Sequence, residues 1–329
     1  MEGKAAAGGL PRPFEKYHTP GSLEIFLETL GDGAFAPVRV ETIGRTVEGR
    51  DIRAVGIGDT GSGLPGVLYL SGVHGIEFIG VETSVALMRW FARGNDRGRA
   101  ERILAGCAPW FVPVLNVDAY ERNAESLRRW RVAFSRTNAN GVDLNRNYPY
   151  GFHARGRGLF TGSGAKISPF YRGPAPLSEP ESIALDGFVR RGNFKVSASL
   201  HSFGRLIGYP YCCKPERARD HDLLQGLALE MRGRQKYSAY RVSQEYFFIP
   251  TSGDTNDWLY EEHGILPFLV EIGGLNLKFW NPLTWANGFY WCNPVDVEYH
   301  VENNLEALIF LAEWVSGGAG PLPTRIPPV

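Results

Sequence analysis

Short apolar runs alternate with helical patterns along most of the chain, and this alternation limits the folds that it can adopt. Residues 67–70 are continuously apolar and predict a buried strand, whereas residues 80–91 repeat apolar side chains at helical spacing. Further strands are predicted at 110–115, 194–200 and 267–272. Alternating strands and helices are typical of a sheet covered by helices on both faces. The sequence therefore predicts a single α/β domain with a mixed, mostly parallel sheet of about eight strands.

The predicted domain spans residues 14–316. Residues 1–13 are rich in Gly, Ala and Pro and predict a disordered tail, and residues 317–329 form a second tail rich in Pro and Gly. The N-terminal segment contains no apolar core of the kind found in a signal peptide, and no apolar run reaches the ~18 residues of a membrane span. We therefore expect a cytoplasmic protein without a membrane partner, with loss of a leader from the given sequence as the alternative.

Charge and cysteine content exclude other classes of protein. The chain has 35 basic and 35 acidic residues and no net charge, so nucleic acid is not an expected partner. Its four cysteines are few for a secreted scaffold, and no CxxC pair is present. We expect reduced thiols and no cysteine-based zinc site.

Two candidate metal ligands follow the strand predicted at 67–70. His74 and Glu77 are three residues apart, so one turn can bring an imidazole and a carboxylate to the same ion, and zinc accepts both donors. This spacing alone is often a coincidence. His201 similarly follows the strand predicted at 194–200, although a hydrogen-bonded core histidine is the alternative interpretation. Two histidines and one carboxylate with a fourth position open to water are typical of catalytic zinc.

Glu271 stands near the end of the apolar strand predicted at 267–272. A carboxylate there loses solvation and must be paired, face a metal or be held at a raised pKa. Beside a zinc-bound water it would act as a general base. The alternative is a strand-end glutamate whose side chain reaches solvent.

A polar, arginine-rich segment separates the candidate ligands. It contains Arg128, Arg129 and Arg131, and later Asn145 and Arg146. Such charges usually form a solvated face. Arginine also offers a rigid fork for a carboxylate, to which an asparagine can add one donor. An enzyme that cuts at the end of a peptide needs such a clamp for the free C-terminal carboxylate.

These motifs together resemble the zinc carboxypeptidase family (M14). The resemblance rests on His-x-x-Glu after a strand, Gly-Val-Asp-Leu-Asn-Arg-Asn at 141–147, Ser-Leu-His-Ser-Phe at 199–203 and the late strand glutamate. It extends over roughly residues 15–315. The sequence of residues 137–149 is most similar to that of bacterial members, including the murein peptide amidases. Those enzymes act in the cytoplasm and cut the γ-D-glutamyl bond to diaminopimelate.

The resemblance implies one zinc ion with three protein ligands, namely His74, Glu77 and His201. It also implies that Glu271 activates the zinc-bound water and passes its proton to the leaving amine, and that Arg131, next to Trp130, stabilises the oxyanion. Asn145 and Arg146 would bind the terminal carboxylate of a peptide substrate. Asp143 would orient His74 through its other ring nitrogen.

The chain departs from the family pattern near the expected substrate pocket. Ile249 aligns with the mobile Tyr of typical members, and Tyr246 is offset from that position. Ile76 replaces an Arg of the pancreatic-type enzymes. Asn256 aligns with the floor of the specificity pocket, where an apolar residue favours apolar C-terminal side chains and an acid favours basic ones. Asp254 is expected to be either an acidic pocket wall, which could meet the distal amine of diaminopimelate, or a helix N-cap.

The predicted activity is zinc-dependent hydrolysis of the C-terminal amide bond of a peptide. A γ-D-glutamyl-diaminopimelate amidase, an N-acyl amino acid deacylase and a non-catalytic zinc- and peptide-binding module remain alternatives. The aromatic segment 279–291 is expected to pack over the core, wall the active-site mouth or form a subunit contact.

Overall fold

A computed structural model describes residues 15–94, 96–129, 131–154, 161–277, 284–285 and 287–317. The predicted N-terminal tail, nearly all of the C-terminal tail and part of the aromatic segment 279–291 lie outside these residues. The strands of the described chain are β1 Val38–Arg45, β2 Asp51–Ile57, β3 Gly66–Ser71, β4 Ala108–Val112, β5 Phe194–His201, β6 Leu206–Tyr209, β7 Arg241–Gln244 and β8 Leu266–Glu271. The α-helices are α1 Pro20–Thr29, α2 Phe78–Arg93, α3 Arg97–Leu104, α4 Val117–Arg128, α5 Pro180–Arg191, α6 His221–Gly233, α7 Thr255–His263, α8 Phe289–Cys292 and α9 Val297–Val315.

All eight strands form one sheet in the order β1-β2-β4-β3-β5-β8-β6-β7. Its centre is parallel, since β3 pairs with β4 and β5, and β5 pairs with β8. Antiparallel pairing occurs towards the edges, where β1 joins β2, β2 joins β4 and β6 joins β8. The predicted mixed, mostly parallel sheet is therefore confirmed.

The central strand β3 is buried along its whole length and divides the core into two parts. Val67 and Tyr69 face one cluster, which includes side chains of α2 and α9. Leu68 and Leu70 face the other, which includes side chains of α5 and α7. Successive side chains of a strand point to opposite faces, so a strand covered on both sides is apolar throughout. This burial explains the unbroken apolar run in the sequence.

The segment 116–147 is polar and shows little regular periodicity, which predicts a loop, but in the structure it contains α4. The Asn116 side chain caps this helix by accepting a hydrogen bond from the Ala119 backbone nitrogen. Tyr120, Ala124 and Leu127 are buried. Many charged residues on the exposed face of α4 obscure this narrow apolar stripe in the sequence.

Residues 178–181 read Ser-Glu-Pro-Glu, a pattern that predicts a capping box at the start of a helix, but this box does not form. The N-cap of α5 is Glu179, which makes no side-chain cap bond, and the Ser178 hydroxyl instead donates to the Glu179 carboxylate. The Glu181 carboxylate accepts from Asn138 rather than capping the helix. Long-range polar contacts therefore replace the expected local ones.

None of the helices in the described ranges is both long and apolar enough to cross a membrane. The four cysteines are free thiols.

Candidate metal centre and active site

The turn after β3 carries His74 and Glu77, and it packs closely against the rest of the domain. Gly72 has a φ of 59°, and a Cβ there would lie 2.8 Å from the Val114 backbone. A Cβ on Gly75 would lie 2.3 Å from the Ala119 side chain at the start of α4. Only glycine fits at these two positions. The tight turn holds His74 and Glu77 in fixed, buried places at the carboxyl end of a central strand.

Three side chains converge at this place. The His74 Nδ1 atom lies 2.8 Å from Glu77 Oε1, and His201 Nδ1 lies 2.8 Å from Glu77 Oε2. The two Nδ1 atoms are 3.1 Å apart. His201 is the last residue of β5, which lies beside β3 in the sheet. The structure thus brings together the three residues for which the sequence predicts metal binding, and their atoms are spaced closely enough to share one ion.

The other ring nitrogens of both histidines have their own partners. His74 Nε2 lies 3.1 Å from Asp143 Oδ1, and His201 Nε2 lies 3.0 Å from Ser199 Oγ. With a proton on each Nε2, both Nδ1 lone pairs and the Glu77 carboxylate point at one another, which is favourable only with a cation between them. Two imidazole nitrogens and one carboxylate form the donor set of catalytic zinc. The residues present therefore fit a zinc ion.

Two carboxylates near this cluster are held in the ionised form. Burial alone would raise the pKa of Glu77, but the adjacent His74 and His201 reverse this effect and leave it below its usual range. Burial likewise opposes ionisation of Asp143, yet Arg136, Arg146 and His74 hold its pKa well below the usual value. The site thus keeps the negative charge that a bound metal ion requires.

Glu271 ends β8 and is the register partner of His201. It lines the same cavity, of about 380 Å³, as the three candidate ligands. Its Oε2 atom is shielded from solvent and has no hydrogen-bond partner among the described residues. Burial and the negative charge of Glu77 raise the pKa of Glu271 to about 7. The structure therefore provides a carboxyl group that can exchange a proton close to neutral pH.

Asn145 and Arg146 lie in the short 3₁₀ turn Leu144–Arg146 and line the same cavity. The Asn145 amide oxygen accepts from the backbone nitrogen and the hydroxyl of Thr255, at 3.1 and 2.7 Å. These bonds fix the orientation of its amide. Both residues are buried, and together they bring polar donors to the cavity.

The arginine at the candidate centre is Arg136, not Arg131 as the sequence suggests. Arg131 is exposed and does not line the cavity. Its backbone nitrogen donates to the Ser126 carbonyl oxygen near the end of α4. Arg136 lines the cavity, and its Nη1 atom lies 3.6 Å from Glu77 Oε1. Its Nε and Nη2 atoms each lie 3.1 Å from Asp143 Oδ2. Trp130, which marks Arg131 in the sequence, lies outside the described residues.

Two residues that depart from the family pattern form part of the cavity wall. Ile76 and Ile249 both line it, whereas Tyr246 does not. An isoleucine at position 249 cannot supply the phenol hydroxyl expected of the tyrosine that it replaces. Apolar side chains are therefore present where the family resemblance implies polar contacts.

The pocket region differs from the sequence prediction at Asn256. This residue is buried but does not line the cavity, and its amide nitrogen donates to Glu245 Oε1 at 2.9 Å. Glu245, which the sequence reasoning missed, takes its place in the cavity wall. Asp254 lines the cavity, and it also caps α7 by accepting from the backbone nitrogens of Asn256 and Asp257.

Comparison with known proteins identifies the family. The zinc carboxypeptidase family model matches residues 24–290, and the chain belongs to this family. Carboxypeptidase B from Rattus norvegicus is 27% identical over 276 residues, a match that covers 79% of this chain and 64% of the relative. The chain thus spans slightly less than two thirds of that relative. The resemblance inferred from the motifs is confirmed.

Solved structures support the same fold. A carboxypeptidase A from Helicoverpa armigera superposes with a TM-score of 0.76 at 20% identity, covering 95% of this chain and 78% of the other. A murein-tripeptide amidase from Escherichia coli O157 superposes with a TM-score of 0.53 at 21% identity, covering 86% and 95%. At these identities the likeness establishes the fold alone.

Proposed function

We propose that this chain is a zinc-dependent carboxypeptidase that hydrolyses the C-terminal amide bond of a peptide. The observation that carries this proposal is the convergence of His74, Glu77 and His201 on one point, with Glu271 lining the same cavity. Since all three donors face a single point, we propose one zinc ion per chain. Zinc in this place would polarise the scissile carbonyl and lower the pKa of a water molecule.

Glu271 is the proposed general base. Its position beside His201 in the sheet and its raised pKa suit a group that takes a proton from the attacking water. The same carboxyl group can then deliver the proton to the departing amine. A non-catalytic peptide-binding module would have no use for such a base.

Arg136 is the proposed stabiliser of the oxyanion, in the role that the resemblance implied for Arg131. Its Nη1 atom is beyond hydrogen-bond distance from Glu77, at 3.6 Å, so it retains hydrogens for a substrate oxygen. Asp143 holds the other side of the guanidinium, which fixes its plane. A fixed donor of this kind stabilises charge that develops in the transition state.

Asn145 and Arg146 are the proposed clamp for the terminal carboxylate. Both line the cavity, and Thr255 holds the Asn145 amide in place. An arginine with a neighbouring amide recognises a carboxylate by charge and by direction. The clamp would restrict cleavage to the last residue of a peptide.

The test is an assay of the zinc-loaded protein against matched peptides with a free or an amidated C-terminus. We expect release of the terminal amino acid only from the free form. The panel includes γ-D-glutamyl-diaminopimelate peptides and N-acyl amino acids. Cleavage restricted to N-acyl amino acids would instead identify a deacylase. Equal cleavage of free and amidated peptides would contradict the proposed clamp, and binding without any turnover would contradict the enzyme assignment.

A further inference from the structure

Helix α2 begins at a residue whose side chain does not cap it. Glu77 is the N-cap of α2, but it makes no side-chain cap bond. Its two carboxylate oxygens face the other candidate metal ligands instead, each 2.8 Å from the Nδ1 atom of His74 or His201. Backbone N–H groups in the first turn of a helix have no partner within the helix, and a capping side chain usually accepts from one of them. The first turn of α2 therefore needs a cap from another part of the chain.

Asn293 supplies this cap, although it is 214 residues away from the amide that it binds. Its Oδ1 atom accepts from the Ile79 backbone nitrogen at 3.0 Å, and its Nδ2 atom donates to the Ile76 carbonyl oxygen at 2.7 Å. These contacts lie on either side of Glu77 along the chain. Asn293 is only 1% exposed, so both bonds are shielded from water. One buried amide thus holds the backbone before and after a candidate metal ligand.

The element that carries Asn293 is itself packed against α2. Asn293 directly follows α8, and its side-chain and backbone nitrogens both donate to the Phe289 carbonyl oxygen, at 2.9 and 3.0 Å. The buried Phe289 ring packs edge-on against Phe78, the first residue of α2, with ring centroids 5.2 Å apart. It packs in the same way against Tyr17, at 5.5 Å. Polar and apolar contacts together fix the place of the Asn293 amide.

We propose that Asn293 is a positioning residue for the metal centre, which orients the Glu77 carboxylate through the backbone of residues 74–77, here called the ligand turn. This inference rests on the proposed zinc site and adds a residue to it. Asn293 does not line the cavity, so it acts through Glu77 and not on a substrate. The inference also gives part of the aromatic segment 279–291 a role, because α8 overlaps that segment and carries the capping amide.

Removal of the Asn293 amide should weaken the metal centre more than the substrate site. The buried backbone groups of Ile76 and Ile79 would each lose a hydrogen bond, and the ligand turn could relax away from the geometry that binds an ion. Loss of a group that orients a metal ligand typically costs roughly 10- to 100-fold in metal affinity. The KM for a peptide in the zinc-saturated protein should stay close to that of the parent, because no side chain that lines the cavity changes.

The test measures the zinc dissociation constant, by competition with a chelator, for the parent, Asn293→Ala and Asn287→Ala. Asn287 is the matched control, since it flanks α8 on the other side and accepts from the backbone nitrogens of Ala133 and Phe289, both at 3.1 Å. Its hydrogen bonds within the described part of the chain do not reach the ligand turn. We expect zinc binding to weaken by roughly 10- to 100-fold in Asn293→Ala and by less than about threefold in Asn287→Ala.

A second variant and two further measurements complete the test. Asn293→Ser keeps a small capping group beside α2, so it should fold even if Asn293→Ala does not, and its zinc affinity should be intermediate. Thermal midpoints of the metal-free proteins show which variants are folded. Steady-state kinetics of the zinc-saturated samples gives the KM for one peptide.

The outcomes separate this inference from the proposed function. Parental zinc affinity in the folded variants at position 293, or an equal loss in Asn287→Ala, would overturn the inference alone. A large increase in KM at unchanged zinc affinity would also overturn it, because it would assign Asn293 to substrate binding. A parent protein that binds no zinc would instead contradict the proposed function.

Discussion

His201 and Glu271 are register partners at the last positions of the adjacent parallel strands β5 and β8. His201 Nδ1 lies 2.8 Å from Glu77, within the cluster of candidate metal ligands, and Glu271 lines the same cavity. The sheet itself therefore places a candidate metal ligand beside the proposed base. Because both residues end hydrogen-bonded strands, their spacing does not depend on the conformation of a loop.

Metal binding should depend on His201 and not on Glu271. We expect His201→Ala to lose stoichiometric zinc, because it removes one of only three protein donors. Glu271→Gln, the control, should retain one ion per chain. Elemental analysis after dialysis measures both. A full complement of zinc in His201→Ala would show that the ligand set is wrong.

The two arginines offer a matched comparison. Arg136→Ala should lower kcat by roughly 10²- to 10³-fold, the usual cost of removing one oxyanion donor. Arg131→Ala should leave kcat within about twofold, as expected for an exposed residue outside the cavity. Steady-state kinetics on a single peptide suffices. A larger decrease in kcat for Arg131→Ala than for Arg136→Ala would instead assign the catalytic role to Arg131.

Activity should fall on acidification, because Glu271 must be ionised to accept a proton. Burial and Glu77 raise its pKa to about 7 in the metal-free chain. A bound dication favours the ionised carboxylate, so the acid limb of kcat/KM for the zinc-loaded protein should have its midpoint below about 7. A pH-rate profile measures this value. A rate that increases on acidification through this range would contradict the assigned base.

Glu245→Gln should stabilise the substrate-free protein at mildly alkaline pH. Folding raises the pKa of Glu245, through burial and the negative charge of Asp254, so the native state binds this proton more tightly than the unfolded chain does. The free energy of unfolding therefore falls as the pH rises above the pKa of this group in the unfolded chain, which is about 4.3. A glutamine at position 245 does not ionise, so the variant does not lose stability in this way as the pH rises. We expect the thermal midpoint to rise by at least about 2 °C at alkaline pH and by less near pH 4.

The exposed residue Glu101 provides the control for this measurement. Glu101→Gln changes the net charge equally but affects only a surface pair with Arg97, so its thermal midpoint should remain near that of the parent at both pH values. A Glu245→Gln variant less stable than the parent at alkaline pH would show that the buried Glu245 carboxylate is already compensated.

The sequence was sufficient to predict the sheet and the convergence of the candidate metal ligands, because both depend on local patterns. An apolar run marks a strand that is covered on both faces, as in β3, and His74, His201 and Glu271 stand at or just beyond the ends of such runs. The carboxyl ends of neighbouring parallel strands meet at one edge of a sheet, so side chains distant in sequence can be placed together.

The sequence was insufficient where position depends on the path of the chain between regular elements. Arg136 reaches the cavity after an irregular segment that follows α4, and its proximity to Asp143 could have been inferred only from that path. Glu245 lies in a short 3₁₀ turn after β7, a strand of four residues that the sequence did not predict. Asn256 faces Glu245 instead of the cavity because their hydrogen bond turns it inward.

The most direct test of the central claim is the release of a C-terminal amino acid by the zinc-loaded parent protein and by zinc-loaded Glu271→Gln. The zinc content of both samples is measured in parallel, so that loss of the base is separated from loss of the metal. We predict release by the parent and a decrease of at least about 10²-fold in the variant at equal zinc content. Equal rates for the two proteins would contradict the proposed mechanism.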